Sequence, residues 1–156
     1  MTQSFADRIA GMNKMYGLPV HAAPHLPARA IIRIADFADI LEEEVLESTA
    51  IPYKCDPLDT LTALADWLGD ITVYCRSEAM RFGIPLEDVL NIIMDSNESK
   101  LGADGKPIHD ERGKFLKGPN YWKPEPKIRE LLAARMLAAQ QPEPVQSIAQ
   151  EGGIAA

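Results

Sequence analysis

The sequence predicts an all-α protein, a bundle of four to five helices. Apolar residues recur at three- and four-residue spacing through successive segments, and no segment alternates strongly enough to demand a strand. Prolines fall at the segment boundaries, where they start or stop helices rather than kink them.

Phe5, Ile9, Met12 and Met15 or Tyr16 make the first segment a short amphipathic helix ending near Gly17 and Pro19. "LPVHAAPHLPA" follows as a connector whose three prolines forbid a regular helix. His21 and His25 have the i, i+4 spacing of a helical metal pair, but Pro24 between them argues against that role. From about Ala30 to Thr49 a second helix is expected, with Ile34, Phe37 or Ala38, Leu41 and Val45 as its apolar stripe. After Pro52, Asp56 is a natural N-cap with Pro57 at the first helical position, opening a long helix that stops at Gly83. That helix carries apolar residues on almost every face, so it is expected to be central and largely buried. Pro85 begins a fourth helix with Leu86, Val89, Leu90, Ile93 and Met94 inward. "KLGADGKPIHDERGKFLKGPNYWKP" reads as a long loop with a short hairpin around Lys106 to Phe115, and loops of that length usually have a task. "EPKIRELLAARMLAAQ" is a strong helix former. One domain over residues 1–139 is expected, with 140–156 as a flexible tail.

At 156 residues the chain is long enough for a real core. A net charge of -7 and a pI near 4.9 argue against nucleic acid as a partner. Cys55 and Cys75 are too few and too far apart for a disulfide framework or a zinc knuckle. No apolar run has the length of a membrane span and the N-terminus lacks a signal-peptide core, so no membrane partner is expected and a cytoplasmic location follows by default.

The charge pattern is more informative. "LEEEVLES" puts Glu42, Glu43, Glu44 and Glu47 late in the second helix, where the macrodipole repels anions. A solvated face is the plain explanation of such a run. Yet Asp66 and Asp70 sit at i, i+4 inside the apolar third helix, about 6 Å of rise apart. Glu44 and Glu47 likewise share one face of the second. If these helices pack antiparallel, four carboxylates converge, and like charges about 4 Å apart cost on the order of 4 kcal/mol per pair at an effective dielectric near 20. Arg33, Arg76 and Arg81 could supply the compensating charge. So could a divalent cation, and carboxylates without histidine or cysteine suit Mg²⁺ or Mn²⁺ better than zinc.

"EEVLE" followed by a helix carrying "DWLGD" resembles the all-α nucleoside triphosphate pyrophosphohydrolases, the MazG-like group that includes phosphoribosyl-ATP pyrophosphohydrolases and dimeric dUTPases. Their signature is ExxE, then ExxD on the next helix. Glu44 and Glu47 match the first half and Asp70 the final aspartate, while Trp67 stands where the second glutamate is usual and Asp66 lies one position before it. "ADWLGDITVY" is similar to a phosphoribosyl-ATP-pyrophosphohydrolase-like branch, which also shows, in order, the equivalents of "SNESKL", "DGKP", "GKF" and "KGPNY", found here between residues 96 and 121. The likeness covers roughly Phe5 to Lys127.

The resemblance implies a Mg²⁺-dependent hydrolase, with Mn²⁺ as a substitute, that cleaves a (d)NTP between the α- and β-phosphates into (d)NMP and pyrophosphate. It implies Glu44, Glu47 and Asp70 as metal ligands and catalytic groups, and Asp66 as a further ligand or a partner of one. Glu43 is a candidate for orienting or deprotonating the water, or else a solvated glutamate. Asn97, Lys100, Lys117 and Tyr121 are the candidates for phosphate contacts; Lys106, Arg112 and Lys114 read as solvated loop charges. A pocket for the base is expected around Asn13, Tyr16 and Trp67, and a homodimer or homotetramer is implied. Two other readings stand beside this one: a phosphoribosyl-ATP pyrophosphohydrolase of histidine biosynthesis, and a helical oligomeric nucleotide-binding protein that breaks no bond.

Overall fold

A computed structural model describes residues 3–53 and 56–141. They form five α-helices: α1 (Phe5–Met15), α2 (Ala30–Glu47), α3 (Pro57–Arg81), α4 (Leu86–Glu98) and α5 (Glu125–Gln140), with a 3-10 helix over Ser48–Tyr53. The expected tail from 142 onward lies outside the described residues, as do Lys54 and Cys55. In the long loop the expected hairpin is reduced to one antiparallel bridge, His109 to Phe115.

Local chemistry sets the helix ends. Ser4 and Asp7 form a capping box, the Ser4 hydroxyl accepting from the Asp7 N–H and the Asp7 carboxylate accepting from the Ser4 N–H. Asp56 accepts from the N–H groups of Leu58 (2.7 Å) and Asp59 (3.3 Å), the cap expected from its place before Pro57. At the other end of α3, two of the final carbonyls are taken by the proline-rich connector: His21 N–H donates to Met80 O and His25 N–H to Phe82 O, both at 2.9 Å.

Helices α1 and α2 both pack on α3, and α4 packs on α5. The α1–α3 contact is organised by a buried polar pair. Asn13 is fully buried; its Nδ2 donates to Ser77 O (3.1 Å) and its Oδ1 accepts from the Ser77 hydroxyl (2.6 Å). Among the described residues, Ile9, Ala30, Ala79 and Val89 are the most enclosed apolar ones.

Two expectations about faces are corrected. On α2 the inward positions are Arg33, Phe37, Ile40, Leu41, Glu44 and Ser48, whereas Ile34 and Val45, each 56% exposed, point outward. On α3 only the last third is enclosed: Leu58, Leu61 and Leu68 are exposed, and so are Asp66 and Asp70. The physical reason is common to both. Each helix has apolar residues on two faces, and periodicity does not reveal which face the same chain covers.

Gly83 makes the turn from α3 into α4. Its φ of 61° lies in the left-handed region, and a Cβ there would meet Ala23 O at 1.9 Å. We expect Gly83→Ala to destabilise the protein by more than about 2 kcal/mol, because left-handed strain and a backbone collision add. Gly11→Ala, with open space around the new methyl in mid-helix, should instead stabilise by about 0.5–1 kcal/mol. Urea unfolding of both variants checks the pair; equal, small effects would contradict this turn geometry.

Candidate active site

The α2–α3 pair is antiparallel and pinned at two levels. Near the start of α2, Arg33 donates from Nε to Glu78 Oε1 (2.8 Å) and from Nη2 to Oε2 (2.6 Å), a bidentate fork on a carboxylate that is only 10% exposed. Near its end, the Trp67 indole N–H donates to Glu44 O at 2.7 Å. That carbonyl is among the last four of the helix and needs a partner from outside the ladder. The next two are capped similarly, Val45 O by the Ser48 hydroxyl and Leu46 O by that of Thr49. Trp67, which the sequence placed beside the base, therefore ties the two helices together, and Asn13 is likewise committed to packing.

Between the two pins lies Tyr74. Helical side chains lean toward their own N-terminus, so on antiparallel neighbours Tyr74 leans toward the level of Asp70 while Glu44 leans to meet it. Partial burial pushes the Tyr74 phenol above its usual value; the charge of the neighbouring Glu44 carboxylate raises it further, and Asp70 and Glu47 add to the effect. Glu44, Glu47 and Asp70 thus lie near enough to Tyr74 for their charges to act on its hydroxyl. Glu44 is half-buried, Glu47 and Asp70 exposed. Asp66 is one turn back along α3, exposed beside Asp59. Glu43 is exposed, about 100° around α2 from Glu44.

The arginines that might have neutralised this group are occupied elsewhere. Arg33 and Arg81 both face Glu78, Arg81 at 3.5 Å, and Arg76 pairs with Glu87. The Glu78 hydrogen bond holds the Arg33 guanidinium above its ordinary value. The remaining donor set is all oxygen and fits a hard dication in kind. Among the described residues, however, no three His, Cys, Asp or Glu side chains converge on a single ion position. Exposed carboxylates such as Glu47 and Asp70 change rotamer readily.

The expected phosphate contacts form a separate patch. Lys100 Nζ donates to Asn97 Oδ1 (2.7 Å), Lys117 Nζ lies 4.5 Å from the Tyr121 ring centroid, and Gly118 N–H donates to Lys100 O (2.9 Å). A Cβ on Gly118 would lie 1.9 Å from Leu101 O, so only glycine permits this approach. Ser96 and Ser99 further tie Trp122 to α4. Among the described residues these loop hydrogen bonds run within the loop or to α4, and none reaches Glu44, Glu47 or Asp70.

A cleft of about 530 Å³ runs beside the carboxylates, bounded by Asp70 and Tyr74 and by Arg33, Glu78 and Arg81. Its importance, like that of Tyr74, escaped the reading of acidic motifs. The signal was nevertheless present: Asp70, Tyr74, Ser77, Glu78 and Arg81 form a polar stripe at three- and four-residue spacing.

No protein-family model matches the chain, and no curated protein matches it. Among solved structures, it is similar to a crystal structure described as that of a proposed NTP pyrophosphohydrolase from Exiguobacterium sp. 255-15, at 17% identity and a TM-score of 0.45 over 90% of this chain and 100% of that one. The all-α fold stands on the helices described above, and a likeness at this level assigns no activity.

Trp67→Phe should cost about 1–2 kcal/mol in urea unfolding, since it removes a hydrogen bond to an otherwise orphaned carbonyl and leaves a space between α2 and α3. A change below about 0.3 kcal/mol would remove Trp67 as a pin.

Proposed function

We propose that the chain is a Mg²⁺-dependent nucleoside triphosphate pyrophosphohydrolase, converting a (d)NTP and water to (d)NMP and pyrophosphate. The observation that carries this reading is the antiparallel pairing of α2 and α3, which brings Glu44, Glu47 and Asp70 close enough for their charges to act on Tyr74, with the nearby arginines paired to other carboxylates. The ordered motifs from "SNESKL" to "KGPNY" support it from the sequence side.

Glu44, Glu47 and Asp70 would hold the cation, with Asp66 supporting from the next turn. Bound there, Mg²⁺ would supply charge neutralisation at the phosphate oxygens and a more acidic water. The chain's own residues do the positioning. Trp67 fixes the backbone of Glu44, and the Asn97, Lys100, Lys117 and Tyr121 patch offers donors and positive charge to the polyphosphate. Water adds to phosphorus as the α–β bridging oxygen leaves; Glu43 is the proposed acceptor of the water's proton.

A second copy of the chain is proposed to cover the outward faces. Ile31, Ile34, Ala38 and Val45 on α2, with half-buried Leu41 at their edge, and Leu58, Leu61, Ala65 and Leu68 on α3 repeat at alternating three- and four-residue steps, the spacing of a helix-bundle seam. Most of their large members are exposed, Ile31 at 85% and Leu58 at 70%. Leu61→Glu should reduce the mass in light scattering from dimer or tetramer toward the single chain, whereas a wild type that is monomeric at micromolar concentration would contradict the seam.

Release of pyrophosphate from a dNTP panel with Mg²⁺ tests the activity. Glu44→Gln and Asp70→Asn should each lower turnover at least about 10²-fold, a loss typical of a transition-state charge contact, while Glu43→Gln lowers turnover and leaves Mn²⁺ affinity unchanged. Phosphoribosyl-ATP belongs in the same panel, and its hydrolysis alone would reject dNTPs as substrates. Unaltered nucleotide binding with no turnover in any variant would favour the binding-only reading.

A further inference from the structure

The cleft beside Asp70 ends on an arrangement that the hydrolytic reading does not use. Its walls include Leu18, Phe37, Ile40 and Val73, and its floor is the Arg33–Glu78–Arg81 cluster. At about 530 Å³ it lies within the range of ligand pockets, roughly 300–1,000 Å³. It is also polarised: Asp70 stands at one end, and at the other two guanidinium groups share a single carboxylate, leaving one net positive charge.

The hydrogen-bond inventory of that positive end is one-sided. Arg33 engages both oxygens of Glu78, through Nε (2.8 Å) and Nη2 (2.6 Å), and Arg81 stands against the same carboxylate. Ser77 spends its hydroxyl proton on buried Asn13. Arg81 touches Glu78 only at 3.5 Å through Nη1, which leaves most of its five N–H donors for the cleft. Among the described residues the floor therefore offers unengaged N–H donors from Arg81, while its one carboxylate is shared by two guanidinium groups. Donors match an exocyclic ring oxygen, as on guanine O6 or the O4 of uracil and thymine, and conflict with the amino group that adenine and cytosine carry at the corresponding positions.

We propose that this cleft receives the nucleobase and that Arg81 is its specificity-determining residue, selecting 6-oxopurines and 4-oxopyrimidines over their amino counterparts. The proposal rests on the hydrolase reading for the identity of the ligand, and it deepens that reading by naming the substrate class. The apolar walls take the faces of the base, the Arg81 fork takes its oxygen, and the triphosphate runs toward Asp70. Arg33 is a positioning residue, since its fork holds Glu78 and thereby sets where Arg81 stands beside it.

Two measurements test this together. In the first, metal-free wild-type protein is titrated with guanosine, deoxyuridine, adenosine and deoxycytidine, which lack phosphate and so probe the base end alone. In the second, kcat and KM are measured for dGTP, dUTP, dATP and dCTP. Wild type should favour the oxo member of each pair by about tenfold, the scale of one charge-assisted hydrogen bond. Arg81→Met should shrink that ratio to about twofold, mostly through a higher KM for dGTP and dUTP. Arg81→Lys, which keeps the cation near Glu78 but loses the fork, should lose most of the discrimination even if the methionine variant fails to fold.

A preference for amino bases, or an equal loss on all four triphosphates, would overturn the proposal, the latter because it would make Arg81 a phosphate contact. Hydrolysis that shows no base preference would likewise overturn it while leaving the hydrolase reading intact. Arg81-dependent binding of guanosine and deoxyuridine without any triphosphate turnover would do the reverse.

Discussion

The antiparallel register of α2 against α3 is the constraint on which the rest depends. The Arg33–Glu78 fork and the Trp67–Glu44 bond fix it at two levels, about 16 Å apart along the helix axis. Two such points leave neither sliding nor rotation open to the pair. Everything between them follows: Tyr74 faces Glu44, Asp70 comes alongside, and a cleft remains where Phe37 and Val73 do not fill the space. Since one fork member is a largely enclosed carboxylate, losing Arg33 would strand a charge as well as loosen a helix.

The distribution of charge along this pair has a physical logic. Among the described residues, cations collect at one end, where Arg33 and Arg81 share Glu78, and the anions at the other have no salt-bridge partner. The second arrangement is unfavourable twice over, because Glu44 and Glu47 repel Asp70 and also lie at the negative end of the α2 dipole. No basic residue occupies the last turn of α2 to relieve it. Exposure of Glu47 and Asp70 keeps the cost tolerable in water. A dication bridging to an anionic phosphate would convert this local disadvantage into affinity, which is how an acidic protein can bind an acidic substrate.

The helices were largely legible in the sequence. Asp56 before Pro57, Gly83 after the long apolar segment and Pro85 beyond it act through local backbone chemistry, and local chemistry survives any tertiary arrangement. The antiparallel packing of α2 on α3 was also legible, as a consequence of the short connection between them. What the sequence did not disclose was orientation. Ile34 and Val45 are as apolar as Phe37 and Ile40, and only the fork to Glu78 and the indole of Trp67 decide which set turns inward. Asn13 and Trp67 read equally well as contacts to a base or as packing, because a polar atom on an amphipathic helix reveals its partner only when the neighbour is placed. Tyr74 was hidden for a related reason: an aromatic residue in an apolar stripe looks like core until carboxylates are found around its hydroxyl.

The central claim is that Glu44, Glu47 and Asp70 together form a cation site around Tyr74. Substoichiometric Mn²⁺ added to isotope-labelled protein tests it most directly, because paramagnetic broadening falls steeply with distance and needs no substrate. The account predicts early loss of the Tyr74, Asp70, Glu44 and Trp67 indole signals, reversed by excess Mg²⁺. Broadening spread evenly over exposed acids such as Asp36, Asp39 and Glu111, or centred on them, would contradict it.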